Sequence, residues 1–357
     1  MLRVGLAGAT GIVGQQFVAA LHGHPWFQLT QLAASPRSAG KSYEDALTYG
    51  GALHWYSADP PPPDVLAMEV RDSADMDATE VDLVFSAVDS SVARVLEPRL
   101  AQRVAVVSTA SAFRMEPDVP LLISTINASH SALIDRQRQG RGWKGFIAPQ
   151  PNCSTIGLGT TLKPVCDRWG LNQVIMTSLQ SLSGAGRNGG VLGLDILDNV
   201  IPFIPKEEEK VEEETRKILG ELTPGGLQPA NVRVSCTCTR VNVQEGHTEA
   251  VFVSTQRPAS VAEVATAFRD YRSGLEDLAL PSSPSQLITV LDNPYRPQPR
   301  LDRDTDGGMT TTVGRIRPDT ALENGLKWVL VSHNTKMGAA KGAVLIAELL
   351  AKQGYIG

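Results

Sequence analysis

Residues 149–155 read Pro-Gln-Pro-Asn-Cys-Ser-Thr, a cysteine placed directly after a loop stiffened by two prolines. Downstream, Leu162, Val165, Cys166 and Trp169 recur at helical spacing, so Cys153 is expected at a helix N-terminus. The thiolate is the nucleophilic form of cysteine, a free thiol has a pKa of about 8.5, and the positive end of a helix favours the anion. The commoner fate of a free cysteine is to fill space in a core, so its partners decide the matter. A cysteine nucleophile needs a base of pKa about 6.5 and, for an acidic substrate, a cationic clamp. Arg240 and His247 flank a turn that contains Gly246, and a hairpin there would bring guanidinium and imidazole to one edge. Glu207 and Lys210 are i,i+3 neighbours on a charged helix over 206–219, with Val211, Thr215, Ile218 and Leu219 at core spacing. Taken by themselves the two charges read as a solvated pair.

Two glycine-rich turns have the context that a phosphate-bearing ligand needs. Residues 2–7 read as a buried strand, residues 8–14 as Gly-Ala-Thr-Gly-Ile-Val-Gly, and residues 15–21 as helix. Gly8, Gly11 and Gly14 let the backbone approach a pyrophosphate, and the helix start supplies free N–H groups and partial positive charge. The next strand, near 28–34, ends in Ala-Ser35-Pro-Arg37-Ser38 without an acid. A hydroxyl and a guanidinium suit a ribose 2′-phosphate, which favours NADP over NAD. Ser86 falls at the C-terminal end of another strand, where open parallel sheets bind ligands. The second loop, Ser183-Gly-Ala-Gly186-Arg-Asn-Gly-Gly190, follows a strand and allows close approach to a cofactor or a reacting carbonyl.

These residues need a scaffold, and the chain is long enough for two domains of ordinary size, at 357 residues with 42% hydrophobic and 20% charged. A net charge of −5 gives no general affinity for nucleic acid or anionic membranes. No apolar run is long enough to span a bilayer, no signal peptide is expected, and four cysteines form no disulfide framework, so a reducing cytoplasmic setting is expected. Cys236 and Cys238 share a strand face without a convincing set of further ligands; core packing is expected and no metal.

Apolar runs at 82–88 and 104–108, separated by a helical stretch at 91–102, imply a parallel sheet with crossover helices. The prolines of 59–64 read as an extended surface connection. After the Cys153 helix, strands are expected at 173–182, 232–241, 248–255, 287–291, 309–317 and 327–332; several alternate, which points to a largely antiparallel sheet. A helix from His333 to about Lys352, apolar almost all round, is expected to pack back on the first half. The fold class is α/β: a Rossmann-like parallel domain over 1–152, an α+β domain over 153–333, and a returning helix over 334–357.

Taken together, Gly8–Gly14, Pro151-Asn-Cys-Ser-Thr155, Gln180-Ser-Leu-Ser-Gly-Ala-Gly186, the Arg240 to His247 spacing, Pro297-Gln-Pro-Arg-Leu-Asp302 and His333-Asn-Thr resemble the aspartate-semialdehyde dehydrogenase family, in its archaeal and fungal branch. The resemblance implies NADPH-dependent reductive dephosphorylation of L-aspartyl 4-phosphate to the semialdehyde, by a homodimer or homotetramer. It implies Cys153 as nucleophile, His247 as acid/base and Gln180 at the acyl group. Arg240 and Glu207 would bind the substrate's carboxylate and amino groups, with Lys210, Arg114 and Asn152 at the phosphate. Gly8, Thr10, Gly11, Ile12, Val13 and Gly14 would cradle the pyrophosphate, Ser35, Arg37 and Ser38 the 2′-phosphate, with Ser86, Ser183, Gly184, Gly186 and Asn334 along the rest of the cofactor. The chain departs from the family pattern at Thr109, where asparagine is expected, and over 122–127, both placed at the phosphate-facing edge. The alternative on the same scaffold is a malonyl-CoA reductase; N-acetyl-glutamyl-phosphate reduction gives Glu207 no ammonium to bind, and a cofactor-sensing regulator would not need Cys153.

Overall fold

The computed structural model describes residues 1–186 and 193–357, and its longer strands form two sheets. The first comprises β1 (Leu2–Ala7), β2 (Phe27–Ala34), β3 (Val70–Asp72), β4 (Leu83–Ser86), β5 (Ala105–Ser108) and β6 (Phe146–Pro149). They lie in the order β3-β2-β1-β4-β5-β6, and every pairing is parallel. Apolar residues on both faces are covered, with Val4, Leu6, Phe85, Val84 and Val106 all buried, as a sheet between two helical layers requires. The strand order reverses between β1 and β4, and a crevice at such a switch point is where open sheets take their ligands.

Helix α1 (Ile12–Leu21) leaves β1 through a turn in which Gly8 has φ +81°. A side chain at Gly14 would come within 2.3 Å of the Gly8 carbonyl, so this glycine sets how closely helix and turn pack. Helix α2 (Ser90–Ala101) follows β4. The proline run is extended, with Pro62 at φ −66°, ψ 127° and buried, and its last proline opens a short helix, Pro63–Leu66, a place where its missing N–H is harmless.

The second sheet comprises β7 (Leu171–Gln180), β8 (Val200–Ile201), β9 (Arg233–Val241), β10 (His247–Thr255), β11 (Ile288–Leu291), β12 (Thr311–Asp319) and β13 (Gly325–Ser332), in the order β8-β9-β7-β10-β13-β12-β11. β9 with β7 and β11 with β12 are parallel; the other pairings are antiparallel. Helices α3 (Cys153–Trp169) and α4 (Glu207–Ile218) cover one face. The strands alternate accordingly: Val174, Met176 and Ser178 of β7 are buried, while Ile175 and Leu179 on the other face are 42% and 38% exposed. Cys236 and Cys238 of β9 lie on the covered face and join its apolar core.

The expected hairpin from Arg240 to His247 is absent. β9 and β10 do not pair; β7 lies between them, parallel to one and antiparallel to the other. The charged helix α4 makes the crossover that a parallel β7–β9 pair demands. The strand directions still deliver the two side chains to one rim, because β7 and β9 end where β10 begins.

The last helix starts later than its pattern suggested: residues 333–339 form turns, and α5 spans Ala340–Lys352. Val344, Ile346, Ala347 and Leu350 share one core with Phe17, Val18 and Leu21 of α1. Its one buried carboxylate, Glu348, meets His24 Nε2 at 2.9 Å and accepts the Ser282 N–H at 3.0 Å.

α4 also carries a buried lysine. Lys217 Nζ donates to the carbonyls of Arg114, Glu116 and Val119 at 2.7, 2.8 and 2.9 Å, fastening the 114–119 segment of the first domain to the second. Replacing Lys217 with Met should leave those carbonyls without a donor and lower stability by about 3 kcal/mol. Urea unfolding tests this; an unchanged midpoint would rule the fastening out.

Candidate active site

Cys153 is the first residue of α3, and the cap of that helix explains how the sulfur is held. Asn152 Oδ1 accepts the Ser154 N–H at 2.9 Å, satisfying one of the open donors of the first turn. Two carboxylates of α4 complete the hold: Asn152 N–H donates to Glu214 Oε2 at 2.6 Å and Asn152 Nδ2 to Glu207 Oε1 at 2.8 Å. Arg114 Nη1 reaches the other oxygen of Glu214 at 2.9 Å, and its Nη2 donates to the Thr109 carbonyl at 2.8 Å. Asn152 and Arg114, both expected at a phosphate, are therefore largely occupied in holding the nucleophile's helix. Only Nε of Arg114 is buried without a partner.

Glu207 is likewise not solvated: it is buried, with Lys210 Nζ at 3.7 Å and half exposed. Glu207, Val211, Glu214 and Ile218 recur on one helical stripe, so the core spacing of α4 already carried two carboxylates inward. The sequence reading missed Glu214 because a run of glutamates resembles a solvated face.

Opposite the sulfur stands the rim of the second sheet. Gln180 ends β7, Arg240 lies beside it in register near the end of β9, and His247 opens β10. All three are buried. His247 Nε2 lies 3.1 Å from Cys153 Sγ. The Arg240 guanidinium donates through Nη1 to the Ser181 carbonyl at 2.7 Å, leaving Nε buried and unpartnered among the described residues. Gln180 Nε2 donates to Ser178 Oγ at 3.2 Å.

Burial governs the charge state. It pushes the Cys153 thiol up to about 12, with Glu207 adding to the effect and Arg240 and Arg114 opposing it. Burial, then Arg240 and His333, pull His247 down to about 3. Both shifts favour the neutral thiol and the neutral imidazole over the ion pair.

A single loop joins this pair to the crevice of the first sheet. A side chain at Gly184 would lie 2.9 Å from Arg240 Nη1 and 3.1 Å from His247 Cε1, so it would press on both catalytic-rim side chains. Next along the chain, Ala185 and Gly186 (φ +66°) line a cavity of about 1120 Å³. Its walls include Gly8, Thr10, Gly11, Ile12 and Val13, with Ser35, Arg37, Ser38 and Lys41 at the far end.

Gly11 caps α1 without a side-chain acceptor, which leaves the first N–H groups of the helix open to an anion. The cavity thus has a glycine cradle, an open helix start and a β2 end that carries cations and no acid of its own, with Asp45 and Asp72 elsewhere on the same wall, which suits a 2′-phosphorylated dinucleotide. Gly14 and Ser86 lie beneath the cavity wall, both buried. Ser183 and Asn334 bond to each other, Asn334 Nδ2 donating to Ser183 Oγ at 2.8 Å. Arg187 to Gly190 of the second glycine loop lie outside the described residues.

Known proteins place this arrangement. Models of the semialdehyde dehydrogenase NAD binding domain and dimerisation domain match residues 3–134 and 162–337. An aspartate-semialdehyde dehydrogenase of Methanothermobacter thermautotrophicus is 48% identical over 350 residues, which cover 98% of this chain and 99% of that protein. The chain belongs to the aspartate-semialdehyde dehydrogenase family. The family enzyme of Candida albicans, crystallised with NADP, superposes with a TM-score of 0.89 at 39% identity, covering 99% of both chains. Aspartate semialdehyde dehydrogenase II of Vibrio cholerae, complexed with ASA, gives 0.78 at 27% identity over 98% of both.

Against the family pattern, the two departures differ in kind. Thr109 Oγ1 donates to the Ser86 carbonyl at 3.2 Å and its own carbonyl anchors Arg114, so it lies in the shell of the site. Residues 122–127 run beside the proline loop that precedes α3, the Leu122 N–H donating to the Pro149 carbonyl at 3.2 Å. They are buried, with Asn127 bonded to Ile123 and Leu121 of the same segment.

The neutral pair has a measurable consequence. The thiolate fraction of a group titrating near 12 rises about tenfold per pH unit below that value. Iodoacetamide alkylation of Cys153 in the unliganded protein should therefore climb steadily from pH 7 to 10. A plateau reached by pH 7 would show a preformed thiolate–imidazolium pair instead.

Proposed function

We propose that this chain catalyses the NADPH-dependent reductive dephosphorylation of L-aspartyl 4-phosphate to L-aspartate 4-semialdehyde through a thioester on Cys153. The observation that carries the reading is the 3.1 Å contact between Cys153 Sγ and His247 Nε2, joined by the Gly184–Gly186 loop to the dinucleotide cavity. Relatives 38–48% identical over nearly the whole chain, named for this enzyme, support the substrate. They do not favour acyl-CoA reduction.

His247 takes the Cys153 proton, and the sulfur attacks the acyl phosphate to form the thioester as phosphate departs. Bound NADPH supplies the hydride that brings the thioester to the aldehyde level. His247 then returns its proton to the sulfur as the carbon–sulfur bond breaks. Arg240, whose guanidinium bonds only to the Ser181 carbonyl among the described residues, binds the substrate carboxylate, and Glu207 binds its ammonium. Lys210 and the free Nε of Arg114 face the phosphate, while Asn152 acts through the helix it caps. Gln180 lies at the acyl group, and Ser35, Arg37 and Ser38 hold the 2′-phosphate at the far end of the cavity.

The protein works as a homodimer through the uncovered face of the second sheet. Cross-strand rows such as Ser235–Ile175–Phe252–Lys327 present a flat, mixed surface there, within the stretch matched by the dimerisation-domain model. Its cysteines are free, as befits the cytoplasm.

Oxidation of aspartate semialdehyde by NADP should require phosphate, and malonyl-CoA with NADPH should give no turnover; the reverse pattern would overturn the assignment. Cys153→Ser should remove nearly all turnover and His247→Asn slow it by about 100-fold or more, with NADP binding kept in both. Ile175→Glu should shift sedimentation from dimer to monomer, and an unchanged profile would move the interface elsewhere.

A further inference from the structure

The two nitrogens of His247 face different partners. Nε2 looks at Cys153, whereas Nδ1 looks at Ser181, and no carboxylate bonds to either among the described residues. Ser181 offers Nδ1 both kinds of partner at nearly equal range: its backbone N–H at 3.1 Å and its Oγ at 3.2 Å. The Oγ hydrogen is directed to Asn334 Oδ1 at 3.0 Å, which also accepts the Gly246 N–H at 2.9 Å. That leaves the lone pairs of Ser181 Oγ free toward the imidazole and toward Ser183 Oγ at 3.3 Å. The Arg240 bond to the Ser181 carbonyl fixes the same residue from its other side.

We propose that Ser181 is the positioning residue that lets His247 serve as base and then as acid without turning its ring, with Asn334 holding Ser181 in that role. This rests on the covalent reading of Cys153. When Nδ1 is bare, the Ser181 N–H donates to it and the ring proton sits on Nε2, aimed at sulfur. When Nδ1 carries the proton, it donates to Ser181 Oγ, and the Nε2 lone pair faces the thiol. In the forward step the S–H bond breaks, the Nε2–H bond forms, and the electron pair stays on sulfur; the imidazolium keeps its Nδ1–H on Ser181 Oγ. At the end of the cycle Nε2 returns its proton to the departing sulfur.

A neutral hydroxyl stabilises the imidazolium less than a carboxylate does, so the proton stays mobile. The charged or titratable groups that face the ring are Cys153 of α3, Arg240 of β9 and His333 after β13, and none of them accepts from Nδ1.

The test uses the full-length enzyme with Ser181→Ala and Ser181→Thr, assayed in the oxidative direction. Removal of Oγ should lower kcat by about 10- to 100-fold, with KM for phosphate and NADP within about twofold. It should also move the acid limb of the kcat profile to lower pH, because the imidazolium has lost its acceptor. Threonine should restore both. Unchanged kcat and acid limb in Ser181→Ala would overturn the proposal, as would a threonine variant as impaired as alanine, which would indicate packing alone. Cys153→Ser, run alongside, separates the two readings: turnover surviving there sinks the thioester itself, whereas an inert Ser181→Ala with a dead Cys153→Ser sinks only the relay.

Discussion

A sulfur and an imidazole 3.1 Å apart are supplied by elements that have nothing local in common, the first turn of α3 and the first residue of β10. Each group alone would be costly to bury, and each is driven toward its neutral form by the burial that the contact requires. What makes the arrangement tenable is that both partners lie on rigid elements whose own ends are satisfied. Asn152 closes the helix start, and Glu214 receives both Asn152 and Arg114, so two opposite charges are paired rather than isolated near the sulfur. The sheet rim holds the imidazole through the Ser181 N–H. Remove these supports and the contact becomes one of many distances that a mobile pair could sample.

The same rim ties the chemistry to the cofactor cavity. The loop after β7 passes Gly184 against His247 and Arg240 and reaches the cavity wall at Ala185 and Gly186. From the opposite side, β13 runs into the 333–339 turns, where Asn334 bonds to Ser181, Ser183 and Gly246, and then into α5, buried against α1. The Asn334 side chain thus links the strand that leads into α5 to the loop beside the imidazole. A side chain at Gly184 would push on Arg240 and His247 themselves, so the glycine keeps the loop close to both.

How much of this was legible depended on whether the decisive interaction was local. Alternation placed the strands of the second sheet to within a few residues, and the glycine turn after β1 marked the cradle, because side-chain period and backbone freedom are properties of short segments. The turn around Gly246 misled. A short connection between two strands looks like a hairpin, and nothing local announces that β7, contributed from about sixty residues earlier, will insert between them. The α4 stripe was half read: Val211 and Ile218 declared a buried face, and the same period put Glu207 and Glu214 on it, but glutamates are rarely buried without partners that lie in another element. Ser181 stood inside a quoted motif yet had no role until its two bonds to one nitrogen were visible. For Asn152 and Arg114, side-chain chemistry suited a phosphate equally well as a helix cap or an ion pair, and only geometry separated the uses.

The electrostatics of the resting site also bear on when the nucleophile forms. After burial itself, the Arg240 charge is what most disfavours the imidazolium of His247, and the same charge favours thiolate over thiol at Cys153. One cation therefore pulls the two halves of the proton transfer in opposite directions: it helps sulfur lose the proton and hinders nitrogen from gaining it. A carboxylate bound to the Arg240 guanidinium would cancel much of that charge as seen from the ring, making the imidazole more basic, while also removing some support from the thiolate. Ser181 faces the other ring nitrogen whether or not substrate is bound, so its support of the imidazolium is common to both states. Substrate charge therefore acts on both ends of the same proton transfer, and Arg240 is the residue through which it does so.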